Sequence, residues 1–210
     1  MRDAAKVVGW GLVFWAGVQL ASLIFAKNAT AAVAVQAALA EWGAGRLAIA
    51  WSDPRVPAPS WGAIGARSGK GAAVGIVAAA LVVGVSIAVH KATLVSSPPS
   101  LGLLAVGLVV AVLTAVRDEL LLRGLVLQVT RGSLPTWAAL LVCGAAAAAA
   151  RFGVEGALGL VLAGEAIKGI VLGGIWVKDR GAWMAVAANT AWTWTIGSVV
   201  GGGLLDVRFH

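Results

Sequence analysis

Three groups of polar residues stand within otherwise apolar sequence and could carry chemistry. The first is Asp118-Glu119, followed one helical turn later by Arg123. Glu119 and Arg123 are spaced to share one face of a helix and form an ion pair, whereas Asp118 lies about 100° around the helix. A solvated charge run at a helix end is the alternative interpretation. Apolar sequence flanks the group on both sides, however, and charges in such places usually face a partner or a wet cavity.

The other two groups follow at later apolar stretches. Arg151 and Glu155 stand at a junction, where they are either an exposed pair of opposite charges or the source of a further carboxylate. Asn189 and Thr193 are one turn apart and can present an amide and a hydroxyl to the interior of a bundle. Such side chains commonly form hydrogen bonds between helices, so that role and a role in a site both stay open.

The composition excludes an ordinary soluble domain. Hydrophobic residues make up 60% and charged residues 12% of the 210 positions, against about 45–50% and about 25% in soluble domains. The net charge of +7 does not indicate a nucleic-acid partner, because the basic residues are scattered at the ends of apolar runs. That distribution suits anionic lipid head groups. We therefore expect an integral membrane protein whose first partner is the lipid bilayer.

The polar groups must be positioned by long apolar segments, each able to cross about 30 Å of hydrocarbon. Six segments qualify, over residues 7–26, 71–89, 101–129, 134–150, 157–177 and 182–200. They predict an all-α, multi-pass transmembrane helical bundle. The fifth segment carries Glu165 and Lys168, which are expected to neutralise each other. Basic residues on both sides of the first segment leave the membrane orientation open.

Residues 27–70 form the one long stretch without a predicted span. Residues 31–42 could form a short helix lying in the membrane interface, and residues 51–61 hold three prolines that impose an irregular path. This part is either a connecting loop anchored by tryptophans or a lip at the entrance of a site. The predicted organisation is an N-terminal helix and loop over 1–70 and a helical core over 71–210.

Metal and cofactor chemistry is not expected. The chain has one cysteine, Cys143, and two histidines, His90 and His210, which are too few and too scattered for a transition-metal site. Cys143 is predicted to be a small core residue.

In this order, the three polar groups resemble the motifs of the CPBP family of intramembrane proteases. That family includes the type II CAAX prenyl endopeptidases and bacteriocin-processing, Abi-like proteins. Its pattern is Glu-Glu-x-x-x-Arg, then Phe-x-x-x-His, then His-x-x-x-Asn on successive membrane helices. The segment from Asp118 to Gly124 matches the first motif with one conservative change, and Phe152-Gly matches the start of the second.

The resemblance implies an endopeptidase in which a first-motif glutamate and the second-motif histidine activate water, while third-motif residues stabilise an oxyanion. Here Gly156 and Asn189 stand at the two histidine positions, and Thr193 stands at the asparagine position. Loss of a positioned acid or base typically lowers a rate by about 10²–10⁴-fold. A catalytically impaired member is therefore the first hypothesis.

In that hypothesis the protein binds or processes membrane-associated C-terminal peptides in the inner membrane of a bacterium. Two alternatives stay open. One is an active glutamic-type endopeptidase that uses Glu119 with Asp118 or Glu155. The other is a non-enzymatic assembly or transporter subunit whose buried charges only hold helices together.

Overall fold

Helices form nearly all of the regular structure. The computed structural model describes residues 2–89, 92–96, 98–151 and 158–209. In chain order the elements are α1 (Arg2–Ile24), α2 (Ala29–Arg46), α3 (Trp61–Ala88), β1 (Ala92–Ser96), α4 (Leu101–Asp118), a π-helical turn (Glu119–Gly124), α5 (Leu125–Thr130), α6 (Thr136–Ala149), α7 (Leu158–Asp179), α8 (Trp183–Trp194), a second π-helical turn (Thr195–Val199) and β2 (Leu205–Phe209).

The predicted all-α membrane fold is confirmed. Three helical segments of the described chain are long and apolar enough to cross a membrane: Ala5–Ile24, Trp61–Ala88 and Leu101–Thr130. The last of these joins α4, the first π-helical turn and α5. Many of their large apolar side chains point outward, as expected where lipid replaces water.

The remaining three predicted spans form α6, α7 and α8. α6 has 14 residues and α8 has 12, which at about 1.5 Å per residue reach about 21 and about 18 Å. α7 has 22 residues and carries an ion pair between Glu165 and Lys168 at 3.0 Å, in agreement with the predicted local neutralisation. Within the described residues, the three segments named above are those that meet both the length and the composition requirement.

Small residues bring α3 and α8 close together. Gly71, Gly75 and Ala79 form the buried stripe of α3. A Cβ atom at Gly71 would overlap the carbonyl oxygen of Met184, and one at Gly75 would overlap that of Ala188. The two backbones can approach this closely only because glycine lacks a side chain. α8 is thereby held in place along α3, and the two helices run parallel.

α6 and α7 pack in the same manner, but antiparallel. A Cβ at Gly144 would lie 2.8 Å from the carbonyl oxygen of Ala166, and one at Gly169 would lie 2.7 Å from that of Cys143. Cys143 is fully buried, as predicted for a core residue.

A helix forms where the sequence suggested one over residues 31–42, but it is longer, because α2 spans Ala29–Arg46. Its start is capped by Asn28, whose side chain accepts a hydrogen bond from the backbone of Ala31 at 3.0 Å. One face of small residues, including Ala40 and Ala44, is buried and packs against α1 and α4. α2 therefore belongs to the helical bundle.

α3 begins earlier than the apolar run suggested. Ser60 caps its first turn, and the helix starts at Trp61 instead of at residue 71. Position 70, where the sequence suggested a division between two parts, lies inside α3. The first turns of α3 are polar, and Arg67 lies 3.5 Å from Asp179. Hydropathy alone therefore placed the start of the helix too late in the sequence.

The connections between helices gather at two opposite ends. At one end, which we call the loop end, the 47–60, 131–135 and 180–182 segments meet. The backbone N–H of Asp53 donates to the carbonyl of Arg180 at 2.7 Å, and the rings of Trp51 and Trp183 lie 4.7 Å apart. At the other end, which we call the hairpin end, β1 and β2 pair antiparallel. This two-stranded sheet was not expected from the sequence.

Candidate functional site

The first polar group lies at the junction of α4 and the π-helical turn, in the middle of the bundle. Glu119 and Arg123 are both completely buried, and Arg123 Nη1 lies 3.2 Å from Glu119 Oε1. The predicted ion pair is therefore present. π-Helical turns are rare and are frequently found at functional sites.

Gly124 ends this turn at a point of close approach. A Cβ there would lie 2.8 Å from Ile49 Cγ2 and 3.0 Å from the ring of Trp176. Any larger residue would push the 47–60 segment or α7 away from the turn. The glycine at this position is thus required by packing, independently of any chemistry.

α8 brings Asn189 and Thr193 to the same place. Asn189 Nδ2 donates a hydrogen bond to Glu119 Oε1 at 3.0 Å, and Thr193 Oγ1 donates to Asn189 Oδ1 at 3.4 Å. The structure thus unites the first and third polar groups, which are separated by some seventy positions in the chain. We call Arg123, Glu119, Asn189 and Thr193 the buried network.

Some polar atoms of the buried network have no hydrogen-bond partner among the described residues. They are Glu119 Oε2 and the Nε and Nη1 groups of Arg123, all of which are buried. Each such group costs about 1–3 kcal/mol. The ion pair therefore depends on the attraction between the two side chains and on the bond from Asn189.

Asp118 points away from its neighbour Glu119. Its Oδ1 accepts from Arg117 Nε, and Arg117 Nη2 also lies 2.7 Å from that oxygen. Arg117 in turn donates to the side-chain oxygen of Gln36 on α2. The rotation of Asp118 around the helix is the one the sequence predicted, so the two adjacent carboxylates do not share a pocket.

Asp118 instead lines a separate cavity of about 130 Å³, which we call the central cavity. Arg117, Arg151 and Glu165 also line it. Arg151 Nε lies 3.5 Å from Glu165 Oε1, which ties the end of the α6 segment to α7. The polar character of this cavity was not foreseen, although Arg117 is itself a charge within an apolar run and could have signalled it.

The second polar group lies mostly outside the described residues. Arg151 is the last described residue before the gap, whereas Phe152, Glu155 and Gly156 are outside. The possibility that Glu155 supplies a further carboxylate therefore stays a prediction.

A larger cavity of about 680 Å³ opens at the loop end; we call it the loop cavity. Gly124 lines it, but Glu119 does not. Its wall includes residues of the proline-rich segment that the sequence suggested as a connecting loop or a lip. The π-helical turn thus lies between two cavities, with the buried network in neither.

A comparison with known protein families matches the part of the chain that contains this site. Residues 100–195, from the start of α4 through α8, match the family model described as type II CAAX prenyl endopeptidase Rce1-like. Over these residues the chain is similar to the Rce1-like family. The resemblance seen in the motifs is thereby confirmed, and the Rce1-like segment contains both the buried network and Asp118. No curated protein and no solved structure was found to match the chain.

Within the described part of the Rce1-like segment, no group of three His, Cys, Asp or Glu side chains comes together in a way that could hold a metal ion.

Proposed function

We propose that this Rce1-like integral membrane protein is a catalytically impaired member of its family, located in a bacterial inner membrane. It binds the C-terminal end of a membrane-associated peptide and cuts it poorly or not at all. The observation that carries the proposal is the separation of the two first-motif carboxylates. Glu119 is enclosed in the buried network, and Asp118 faces the central cavity with Arg117.

This separation argues against one arrangement for hydrolysis, in which Glu119 and Asp118 act as a carboxylate pair. A carboxylate pair can hold and activate a water only when both groups share one wet pocket. The candidate oxyanion donors are also engaged, because Asn189 donates to Glu119 and Thr193 donates to Asn189. An oxyanion hole requires donors that are free to point at the reacting oxygen.

The central cavity supports a binding role. Arg117 and Arg151 line it together with Asp118 and Glu165, and Lys168 pairs with Glu165. The charges that line this cavity therefore balance, and Lys168, which is outside the lining but paired with Glu165, adds one positive charge. A guanidinium group recognises a terminal carboxylate well, with up to two parallel hydrogen bonds. A volume of about 130 Å³ suits the end group of a peptide.

Binding and cleavage can be measured together on the full chain in lipid nanodiscs. The probe is a fluorescent farnesylated peptide with a free C-terminus, and its matched control is the same peptide with a C-terminal amide. We expect about tenfold weaker binding of the amide and no cleavage by mass spectrometry. Arg151→Gln should weaken binding of the free acid, whereas Arg208→Gln at the hairpin end should not. Robust cleavage that Glu119→Ala abolishes would overturn the proposal.

An active glutamic-type endopeptidase is the second candidate, using Glu119 with Asp118 or Glu155. It is favoured by the size of the central cavity, which exceeds the roughly 30 Å³ share of a water molecule. In that case single Asp118→Asn, Glu119→Gln or Glu155→Gln changes should abolish processing at unchanged protein levels. Unaltered processing in all three would reject it.

A non-enzymatic assembly or transporter subunit is the third candidate. It is favoured by the burial of the Glu119–Arg123 pair, which joins the π-helical turn to α8 through Asn189. The double exchange Glu119→Arg with Arg123→Glu should then restore the abundance that either single change lowers. Restored abundance without restored peptide binding would instead indicate a functional site.

A further inference from the structure

The loop cavity lies where helices end. Its walls come from residues 48–56, the last turn of α5, the first turn of α6 and the last turn of α7. α5 closes the membrane-length segment Leu101–Thr130, so these helix ends lie at the boundary between lipid and water. The volume of about 680 Å³ is within the range of about 300–1,000 Å³ that small-molecule sites occupy.

The polar part of the loop cavity is cationic. Arg55, Arg131 and Arg180 line it, with Asp53 as the acidic residue. Arg55 Nη2 lies 2.7 Å from Asp53 Oδ2, and hydrogen bonds from Arg55 hold the pKa of the Asp53 carboxyl well below its usual range. Asp53 and Arg55 therefore cancel each other. The side chains of Arg131 and Arg180 form no hydrogen bond or ion pair within the described chain, which leaves two guanidinium groups for an anion.

The other part of the loop cavity is apolar. Ile49, Leu127, Trp176 and Val177 line it alongside the arginines. A site with a cationic rim and an apolar wall fits a molecule that has an anionic group on a hydrocarbon body. A fully water-soluble anion would leave the apolar wall without a partner.

Basic residues are concentrated at the same end of the bundle. The described ones at the loop end are Lys6, Arg46, Arg55, Arg67, Lys70, Arg131, Lys178 and Arg180, whereas those at the hairpin end are Lys27, Arg151 and Arg208. By the positive-inside rule this distribution favours an orientation with the loop end towards the cytoplasm. Anionic phospholipids give that membrane surface a negative potential, which attracts basic groups.

The backbone at Arg180 gives a further indication. Arg180 has a φ angle of +53°, and Ala48, across the same cavity, has +54°. Glycine normally occupies this left-handed conformation because it has no Cβ atom to clash. Arg180 adopts it nonetheless, which makes Arg180 a candidate for a functional role.

We propose that the loop cavity binds the phosphate headgroup of an anionic phospholipid, with Arg131 and Arg180 as its ligands. The planar guanidinium fork matches phosphate oxygens geometrically, and Arg holds its charge at any physiological pH. The first part of the acyl chains lies against Ile49, Leu127 and Trp176. This site is separate from the central cavity, so it does not rest on the proposed peptide binding.

The test measures binding of acyl-labelled fluorescent phosphatidylglycerol to the full chain in neutral detergent micelles, with phosphatidylcholine carrying the same label as the comparison. We expect at least tenfold tighter binding of phosphatidylglycerol. Arg131→Gln with Arg180→Gln should remove this preference. Lys27→Gln with Arg208→Gln, which lowers the net charge equally at the hairpin end, should preserve it.

Several outcomes would overturn the proposal. Equal binding of the two lipids would indicate an apolar groove only, and an equal loss in both double variants would indicate a general effect of charge. Displacement of the lipid by inorganic phosphate at equal concentration would indicate a site for the free ion.

A second pair of variants guards against misfolding. Arg180→Gly removes the guanidinium group but suits the left-handed backbone, so the protein should stay folded while phosphatidylglycerol binding falls about tenfold. Ala48→Gly makes the same backbone change in the same cavity without loss of charge, and should leave lipid binding unchanged. Unchanged lipid binding in Arg180→Gly would contradict the assignment.

Discussion

The buried network and the central cavity contain neighbouring residues in very different surroundings. Glu119 is completely enclosed and bound to Arg123 and Asn189, whereas Asp118 faces a polar cavity and is bound to Arg117. A rotation of about 100° per residue is enough to separate them, because a packed helix meets a different neighbour on each face. Two adjacent carboxylates therefore have different surroundings: one lies in the buried network between α8 and the π-helical turn, and the other lines a polar cavity.

The largest difference in stability between the two carboxylates is expected when the partner of the buried one, Glu119, is removed. Arg123→Gln leaves the fully buried Glu119 without its ionic partner, which should lower the free energy of unfolding by about 3–5 kcal/mol. Arg117→Gln removes the partner of Asp118, which is buried but faces the central cavity, and should cost less, about 1–3 kcal/mol. Thermal unfolding in detergent measures both. Equal losses would show that burial does not distinguish the two carboxylates.

A second test moves α8, which carries Asn189, without touching any polar group. Gly75→Leu would force α8 away from α3, because a side chain there overlaps the Ala188 carbonyl, and should cost about 1–3 kcal/mol or more. Gly84→Leu is the matched control on the same helix, since a Cβ there meets nothing within 4 Å. We expect a lower melting temperature only for Gly75→Leu. A comparable loss at Gly84 would mean that α3 tolerates no larger side chain anywhere.

A smaller effect is expected from the hydrogen bond between α8 and the π-helical turn. Asn189→Ala removes the donor to Glu119 and should lower the free energy of unfolding by about 1–3 kcal/mol. Thr193→Val, which is similar in shape, removes only the longer 3.4 Å bond to Asn189 and should cost less. If Thr193→Val lowers the free energy of unfolding as much as Asn189→Ala does, the hydrogen bond from Asn189 to Glu119 is not the main contact between α8 and the π-helical turn.

The smallest effect on stability is expected at Asp118. Asp118→Asn keeps the shape of the side chain and an oxygen that can still accept from Arg117, so it should change the free energy of unfolding by about 1 kcal/mol. Because it removes negative charge beside Arg117, it should strengthen binding of an anionic peptide end in the nanodisc assay. Weaker binding would show that Asp118 itself contacts the ligand.

Periodicity and motif spacing predicted several side-chain contacts and orientations in the candidate site. The i, i+4 spacing of Glu119 and Arg123 predicted their ion pair, and the spacing of Asn189 and Thr193 predicted that both would face inward. The same periodicity predicted that Asp118 would point elsewhere. These predictions succeeded because the geometry of a helix is local and repeats every 3.6 residues.

Other features depended on contacts between distant parts of the chain. The start of α3 at Trp61 and the packing of α2 into the bundle were missed, because hydropathy does not register polar first turns or small-residue faces. The β1–β2 pairing links residues more than a hundred positions apart, and no local pattern announces such a partner. The meeting of Arg117 with Gln36 was missed for the same reason.

The amino-acid sequence by itself determined the class of protein, the apolar segments and the resemblance to the CPBP family, because composition, periodicity and motif spacing are properties of the chain. Only the tertiary structure decided that Glu119 and Asn189 touch while Asp118 faces a different cavity. It also decided that the arginines of three separate connections line one cavity at the loop end. The physical reason is that burial, pairing and cavity shape arise between helices, and which helices meet depends on close packing along the whole bundle.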